Sequence, residues 1–135
     1  MSENILVIGA VALGPKAACR FKRLRPEARV TMIDKSDTIS YGGCGIPYYV
    51  AGEVSESMQL RTTSFHMVRD ETFFREVKGV DVLRRTEALG IDRDSKQVRT
   101  LDLATGREEV LNYDKLVIAT GSTPRRLGLG GEDLE

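Results

Sequence analysis

The sequence predicts an α/β fold in which a parallel sheet with helices carries an inserted antiparallel β-meander. Two observations predict the parallel part: the apolar run NILVIG at 4–9 leads through a glycine turn into a helical pattern, and the run RVTMID follows at 29–34. Strand, helix and strand in this order form a parallel βαβ unit. Alternating patterns at 80–92, 96–103 and 108–113, with turn residues between them, predict the meander.

A helix is predicted after the first glycine turn. Gly14 and Pro15 open it, because the fixed φ of proline suits a first helical turn, and Pro26 ends it. Apolar residues recur at helical spacing over this segment and are predicted to form its buried face: Ala17, Ala18, Phe21 and Leu24.

Two further helical segments are predicted between the βαβ unit and the meander. Residues 44–51 are expected to form a short helix or turn, and 64–77 a longer helix that the Lys-Gly pair at 78–79 closes. The inward positions of the longer helix are predicted to be Phe65, Val68, Phe73 and Val77. The stretch 115–124 begins as another apolar strand and runs into a glycine.

Composition sets bounds on partners and compartment. The 135 residues suffice for one domain, and the 20 basic and 20 acidic side chains form no polybasic run, so no nucleic-acid partner is expected. No apolar run approaches membrane-spanning length, so no membrane association is expected. The two cysteines, Cys19 and Cys44, are far apart in sequence, which favours a reducing, cytoplasmic location over a disulfide scaffold.

The turn after the first strand is placed like a phosphate-binding turn in a Rossmann-like fold. The dinucleotide fingerprint has glycine at three positions, which here are Gly9, Val11 and Gly14. The middle glycine is absent, but the turn opens a helix whose N–H groups can bind phosphate. Asp34 stands about 20 residues further on, where a carboxylate accepts ribose hydroxyls. The alternative is a tight turn that binds no ligand.

Cys44 lies in the glycine-rich stretch ISYGGCGIPYYVAG, residues 39–52. At a helix start, exposed N–H groups and the helix dipole would favour the thiolate, and the flanking glycines leave room for a flat ring or a bulky disulfide partner. No second cysteine lies within a few residues, so redox chemistry would join Cys44 to an external sulfur or oxidise it to a sulfenate or persulfide. The alternative is a small apolar filler in a loop.

Three stretches together resemble the N-terminal part of the flavoprotein pyridine nucleotide-disulfide oxidoreductases: VIGAVALGPKAACRFKRL, SYGGCGIPYYVAGEV and YDKLVIATGSTP. The resemblance runs from about residue 4 to 127 and is strongest to coenzyme A-disulfide reductase and NADH-dependent persulfide reductase. The spacing of Ser40, Cys44 and Pro47 is specific to the single-cysteine branch, whereas the ATG motif at 119–121 is shared more widely.

The resemblance implies that FAD lies along the first strand. Its pyrophosphate would sit on the turn 9–14, its adenosine ribose on Asp34, and its adenine edge at the main chain of Ala88. Cys44 is implied as the catalytic residue, facing the flavin ring and forming a charge-transfer pair or a mixed disulfide with coenzyme A. The full set of FAD-binding residues is then Gly9, Val11, Ala12, Gly14, Asp34, Lys35, Gly43, Ala88, Ala119, Thr120 and Gly121.

A cationic stripe on the first helix is the candidate substrate site. Lys16, Arg20 and Arg23 fall at spacings of four and three, so they share one face that could bind the phosphates of coenzyme A. The resemblance supports this role and adds Ser40 as a substrate-binding residue. The alternative is a solvated basic face. His66 is the only histidine, and no metal site is expected.

The function expected from the resemblance is reduction of coenzyme A disulfide or persulfide, or of another small thiol substrate, with NADH or NADPH as donor and FAD as cofactor. One alternative is an NADH oxidase or peroxidase that cycles Cys44 through a sulfenate, and another is a nucleotide-binding module without catalysis. We expect residues 1–127 to be the N-terminal part of an FAD-binding domain and 128–135 to be a glycine-rich tail, for which cloning is one origin. Relative to the family, the NADH-binding and dimerisation domains of a homodimeric parent would then be missing.

Overall fold

The computed structural model describes residues 2–123, 125–128 and 130, so the expected tail at 128–135 lies mostly outside the described residues. The strands are β1 (Asn4–Ile8), β2 (Arg29–Ile33), β3 (Asp81–Leu83), β4 (Thr86–Asp92), β5 (Gln97–Asp102), β6 (Glu108–Asn112) and β7 (Lys115–Ile118). The helices are α1 (Leu13–Leu24), α2 (Ile46–Val50) and α3 (Glu71–Phe73). A π-helical turn, Phe74–Lys78, continues α3, and 3₁₀ turns occupy Gly43–Gly45 and Ser57–Arg61.

The strands form two sheets, which confirms the predicted fold class. Four parallel strands lie in the order β3-β2-β1-β7, and three antiparallel strands lie in the order β4-β5-β6. In the parallel sheet β1 is central, paired with β2 from Asn4 to Ile8 and with β7 from Ile5 to Ile8. The carboxyl ends of β1, β2 and β7 therefore meet at one edge, which is where ligands bind in open parallel sheets.

The two faces of the parallel sheet carry separate hydrophobic cores. Successive residues of β1 point to opposite faces, with Ile5 and Val7 on one and Leu6 and Ile8 on the other. The first face packs against α1 and the π-helical turn after α3, and the second packs against the meander through Val98. Each such side chain contributes about 1.5–3 kcal/mol by leaving water, so β1 stabilises the fold through both cores.

The predicted buried face of α1 is confirmed at Ala18 and Phe21, whereas Ala17 is only partly buried and is not among the residues that pack against this core. Ala18 is fully buried and Phe21 packs against the same core, but Leu24 is 61% exposed. Leu24 is the last residue of α1, where the chain turns back and the N–H of Arg25 bonds to the carbonyl of Phe21. Ala28, which follows this turn, fills the core instead.

The predicted helix over 64–77 forms only in its second half. An antiparallel bridge between Thr62 and Val68 holds the first half in a tight turn, and Phe65, predicted inward, is 84% exposed. Helical structure begins at Glu71, after Asp70 caps the helix by accepting a hydrogen bond from the N–H of Phe73. The helical spacing of the apolar residues did not indicate that the helix is capped at Asp70.

Among the predicted inward residues of this helical segment, Phe73 is confirmed, because it packs against the core, but Val77 is wrong. Phe74 is buried and its ring meets that of Phe73 edge-on, whereas Val77 is half exposed. The π-helical turn shifts the helical phase after Phe73, so a 3.6-residue period cannot select the correct side chain. The predicted end is correct, because Gly79 closes the segment in the left-handed conformation with φ 64°.

The segment 80–92, which alternates in the manner of a strand, forms two strands rather than one. Its first part, β3, joins the parallel sheet beside β2, and its second part, β4, begins the meander. Arg84 and Arg85 connect the two, and Arg85 has a φ of +51°, which is uncommon for a residue with a side chain. Local alternation cannot reveal that change of sheet.

Three carboxylates, those of Asp37, Asp92 and Asp102, have pKa values below the ordinary 3.8 because hydrogen bonds stabilise their charged form. Asp37 accepts from the Arg85 guanidinium, whereas Asp92 and Asp102 accept from main-chain N–H groups two or three residues further on. A lowered pKa in the folded state adds stability above the unfolded value, and that stability is lost as the pH falls through the folded value.

We therefore expect the melting temperature to be steady above about pH 5 and to fall below about pH 4. The double variant Asp92→Asn, Asp102→Asn should lose part of this dependence, because its amides do not titrate. Thermal melts followed by circular dichroism between pH 2.5 and 7 measure both curves. An acid limb identical in the variant and the parent chain would show that these two turns do not contribute to it.

Candidate functional site

The turn between β1 and α1 packs closely on the end of β7. Gly9 has a φ of +107°, and a Cβ built on it would lie 2.1 Å from the carbonyl oxygen of Ala119. The N–H of Gly9 donates to Ile33 at 2.8 Å and that of Ala119 donates to Ile8 at 2.7 Å. Only glycine fits at position 9, because both its conformation and its clearance exclude a side chain.

The start of α1 is open to an anion. Ala12 occupies the N-cap position, no described side chain caps the helix, and its first turn carries no acidic residue. A Cβ on Gly14 would lie 1.7 Å from the carbonyl oxygen of Gly9, so the bare glycine is what lets α1 start this close to β1. The first N–H groups of the helix and the positive end of its dipole together favour a phosphate at this place.

Asp34 lies directly after β2, beside this turn. Its Oδ2 accepts a hydrogen bond from the N–H of Ala10 at 2.7 Å, and its Oδ1 accepts from the N–H of Ser36 at 2.8 Å. A carboxylate oxygen has a second acceptor direction, so both oxygens remain able to accept ribose hydroxyls. The two bonds hold the carboxylate in one orientation next to the phosphate turn.

A cleft of about 330 Å³ opens at this edge of the sheet. It brings together six of the residues that the sequence predicts for FAD: Gly9, Val11, Asp34, Lys35, Ala88 and Thr120. Its remaining lining residues are Ile8, Ile33, Ser36, Tyr41, Thr86 and Glu87. The cleft runs from the phosphate turn to the start of β4, as the adenosine half of a dinucleotide requires.

The other predicted FAD residues lie around this cleft without lining it. Ala12 and Gly14 belong to the start of α1, and Ala119 touches Gly9 from the end of β7. Gly121 is exposed with a φ of +74°, and Gly43 is exposed on the cysteine turn.

Sequence reasoning missed several residues of the cleft wall. Ser36, Thr86 and Glu87 carry no motif of their own, and Tyr41 belongs to the cysteine stretch. Adjacency to Asp34 and Ala88 is the signal that could have pointed to three of them. Pairing between the loop after β2 and the start of β4 is not visible in the sequence, because some fifty residues separate them.

Cys44 is exposed and lies on the 3₁₀ turn Gly43–Gly45, immediately before α2. It does not begin a long helix, because α2 has only five residues and starts at Ile46. A Cβ on Gly45 would lie 2.5 Å from the Leu60 side chain, so the turn is seated on the 3₁₀ segment that ends at Arg61. The thiol faces solvent, where an external sulfur can reach it.

The cysteine stretch is tied to the phosphate turn by its second residue, Ser40. The N–H of Ser40 donates to the carbonyl of Ala10 at 2.8 Å, and Gly42 donates to Leu60 at 2.7 Å. Ser40 is 5% exposed and has a φ of +49°. The predicted substrate residue is thus buried, and its main chain supports the site from within. The bond places the cysteine stretch next to the turn that would hold a pyrophosphate.

The cationic stripe is present on α1. Lys16, Arg20 and Arg23 are all exposed, and none of them makes an ion pair within the part of the chain that the structure describes. Cys19 lies on the same helix but packs against the core, and burial raises the pKa of its thiol while Lys78 and Arg23 oppose that effect. Cys19 is therefore a packing residue rather than a second nucleophile.

Two other kinds of site are not seen among the described residues. Over 2–123, 125–128 and 130, no group of three or more histidine, cysteine, aspartate or glutamate side chains is arranged to bind a metal ion. None of the helices in this part of the chain has the length and apolar character needed to cross a membrane.

Three features define a dinucleotide-binding domain of the Rossmann type. They are a glycine turn at the carboxyl end of a central parallel strand, an acidic residue after the next strand, and a cleft that joins the two. The chain belongs to the pyridine nucleotide-disulphide oxidoreductase family, whose profile matches residues 3–135. The match covers the phosphate turn, the cysteine stretch and the ATG motif, and it confirms the resemblance drawn from the sequence.

Three similar proteins come from two groups of the family, the persulfide reductases and the NADH oxidases. The solved structure of an NAD-dependent persulfide reductase from A. fulgidus is 44% identical, with a TM-score of 0.92 over 96% of this chain and 24% of that one. An NAD(P)H coenzyme A polysulfide/persulfide reductase of Pyrococcus horikoshii is 31% identical over 100% of this chain and 28% of its own length. An NADH oxidase of Enterococcus faecalis is 34% identical over 98% and 28%. The chain thus spans about 28% of the length of these curated relatives.

The close approach at Gly14 gives a direct test of the phosphate turn. Gly14→Ala places a methyl group 1.7 Å from the Gly9 carbonyl oxygen, so α1 must move away from β1, and we expect a loss of about 1–3 kcal/mol or more in the free energy of unfolding. Gly43→Ala is the matched control, because its Cβ would meet only Tyr41 at 3.8 Å. Urea unfolding measures both. Equal stability of the two variants would contradict the tight packing of α1 on the turn.

Proposed function

We propose that this chain is the FAD-binding and thiol-bearing part of an FAD-dependent NAD(P)H oxidoreductase that reduces coenzyme A disulfide or persulfide at Cys44. The observation that carries the proposal is the hydrogen bond from Ser40 to Ala10, which ties the exposed cysteine stretch to the phosphate turn. The relatives named as persulfide reductases support the substrate class. Residues 1–127 act in this proposal as the N-terminal part of the FAD-binding domain.

The residues present fit FAD. The uncapped start of α1 offers N–H donors to the pyrophosphate, Asp34 offers two oriented oxygens to the ribose, and the cleft to Ala88 has room for the adenine. Thr120 lies at the mouth of the cleft on the strand end that contacts Gly9. When bound, the flavin would pass to sulfur the two electrons that NAD(P)H supplies.

Cys44 carries the sulfur chemistry. Its thiolate attacks one sulfur of coenzyme A disulfide, so that a mixed disulfide with Cys44 forms and one coenzyme A thiolate leaves. Two electrons and a proton then convert the mixed disulfide into the Cys44 thiolate and a second coenzyme A thiol. The exposed position of Cys44 admits the bulky substrate, and Gly43 and Gly45 on either side leave it uncovered.

Lys16, Arg20 and Arg23 bind the substrate phosphates in this proposal. They are exposed on one face of α1 and have no carboxylate partner in the described chain, so their charge is available to an anion. Ser40, being buried, acts through its main chain by holding the cysteine stretch.

Cys44→Ser tests the thiol in the protein that contains this chain. With NAD(P)H as donor, we expect turnover of coenzyme A disulfide and of coenzyme A persulfide to fall by at least about a hundredfold, because the hydroxyl cannot form the mixed disulfide. Cys19→Ala is the matched control and should keep most of the activity, since Cys19 serves packing. Unchanged turnover in Cys44→Ser would remove the thiol from the mechanism.

The cationic stripe has its own test. The triple variant Lys16→Ala, Arg20→Ala, Arg23→Ala should raise the KM for coenzyme A disulfide about tenfold at low salt, with a smaller effect at high salt, because the phosphates lose charged partners. The KM for a small uncharged disulfide should stay the same. Arg93→Ala, in the β4–β5 turn, is compared with the single variant Arg20→Ala, since each removes one positive charge. An equal rise in the KM for both disulfides would show that the cationic stripe does not bind phosphate.

A second candidate function is reduction of oxygen or peroxide with Cys44 cycling through a sulfenate, and the NADH oxidase of E. faecalis supports it. The cationic stripe favours the coenzyme A substrate, since neither oxygen nor peroxide needs three cations. A nucleotide-binding module without catalysis would leave the exposed Cys44 unexplained. Comparing NADH consumption with coenzyme A disulfide, coenzyme A persulfide, peroxide and oxygen distinguishes the three.

We also propose a cytoplasmic location for the enzyme. Both cysteines are free, which suits the reducing cytoplasm. We further propose a homodimeric holoenzyme whose NAD(P)H-binding domain lies outside these residues.

A further inference from the structure

We propose that Asp37 is a positioning residue, which with Arg84 and Arg85 holds the two walls of the cleft at the separation that an adenosine requires. The inference rests on the proposed function, in which this cleft takes the adenosine half of FAD. Asp37 does not line the cleft itself. It acts through the loop that carries Asp34.

The cleft has two walls from distant parts of the sequence. Residues 34–36, after β2, form one wall, and residues 86–88, at the start of β4, form the other. Main-chain bonds tie them at their base: Thr86 donates to Asp34 at 2.9 Å, and Arg85 donates to Ser36 at 3.3 Å. The second of these bonds is long, so the outer part of the contact needs further support.

Asp37 supplies that support from the end of the first wall. Its Oδ1 accepts from Arg85 Nε at 2.9 Å and from an Arg84 guanidinium nitrogen at 3.1 Å. The same Arg84 nitrogen donates to the main-chain carbonyl of Asp37 at 3.0 Å. One carboxylate thus joins both arginines of the β3–β4 link to the loop after β2.

Arg84 is anchored on its other side as well. Its second guanidinium nitrogen donates to Glu71 Oε1 at 2.7 Å, and Arg84 Nε pairs with Glu71 Oε2 at 2.5 Å. Glu71 is the first residue of α3, so Arg84 links that helix to the loop. Because Glu71 holds the Arg84 guanidinium on one side, Arg84 can fix the orientation of the Asp37 carboxylate on the other side.

The link itself has a conformation that needs to be held. Arg85 adopts φ +51°, which a residue with a side chain rarely does unless its surroundings fix it. Its N–H and carbonyl are bonded to Ser36 and Leu103, and its side chain is bonded to Asp37. Replacing Asp37 removes the only hydrogen bond that the Arg85 side chain makes to a described residue, so the wall at 86–88 would gain freedom.

The exposure of Asp37 and Arg85 indicates whether the loss of Asp37 lowers the stability of the fold or the affinity for the ligand. The Asp37 and Arg85 side chains are about half exposed, at 54% and 55%, and ion pairs of this kind contribute little to global stability. A site needs its walls held within about half an ångström, so a loss of restraint weakens ligand binding first. We expect a change in affinity with almost no change in melting temperature.

The test measures the dissociation constants of ADP, FAD and FMN by calorimetry on the flavin-free protein that contains this chain. Asp37→Ala should raise the constants for ADP and FAD about tenfold and leave that for FMN, which lacks adenosine, unchanged. Asp37→Glu keeps the charge and should recover most of the affinity. Asp92→Ala is the matched control, since Asp92 is also an exposed carboxylate that accepts two hydrogen bonds but lies outside the cleft.

The outcomes separate the two proposals. A parent protein that binds neither ADP nor FAD overturns the proposed function and this inference together. A parent that binds both, with Asp37→Ala binding ADP equally well, overturns the inference alone. Equal losses for ADP and FMN, or a large fall in melting temperature, would show that Asp37 supports the whole fold rather than the adenosine cleft.

Discussion

The site depends on the main chain of Gly9 and Ala10, because three other parts of the chain meet there. Gly9 donates to the end of β2 and touches the end of β7, while Ala10 donates to Asp34 and accepts from Ser40. A side chain at position 9 would collide with β7, so the arrangement exists only with glycine. The turn after β1, the Asp34 carboxylate and the cysteine stretch are therefore held in one geometry.

This arrangement explains how an exposed thiol can belong to a defined site. Cys44 sits on a short turn before a five-residue helix, which alone would be a weak support. Its stretch is held at one end by Ser40 and along its length by contacts of Gly42 and Gly45 with Leu60. The position of the sulfur thus follows from the fold, and the glycines around it leave it accessible to a large substrate.

The sequence was sufficient where local pattern and tertiary role agree. The run at 4–9, the Gly14–Pro15 helix start and Asp34 could be placed from motif spacing, and six of the predicted cofactor residues share one cleft. Prediction failed where a non-local contact decided the structure. The bridge between Thr62 and Val68 replaced a helix, and the change of sheet at Arg84 and Arg85 is set by pairing with distant strands.

A crystal structure of the FAD-bound protein that contains this chain tests most directly whether this site binds the cofactor. We expect the pyrophosphate to lie at the start of α1, the ribose to lie on Asp34 and the Cys44 sulfur to face the flavin ring. FAD bound at another edge of the sheet, or a Cys44 sulfur directed away from the ring, would contradict this expectation.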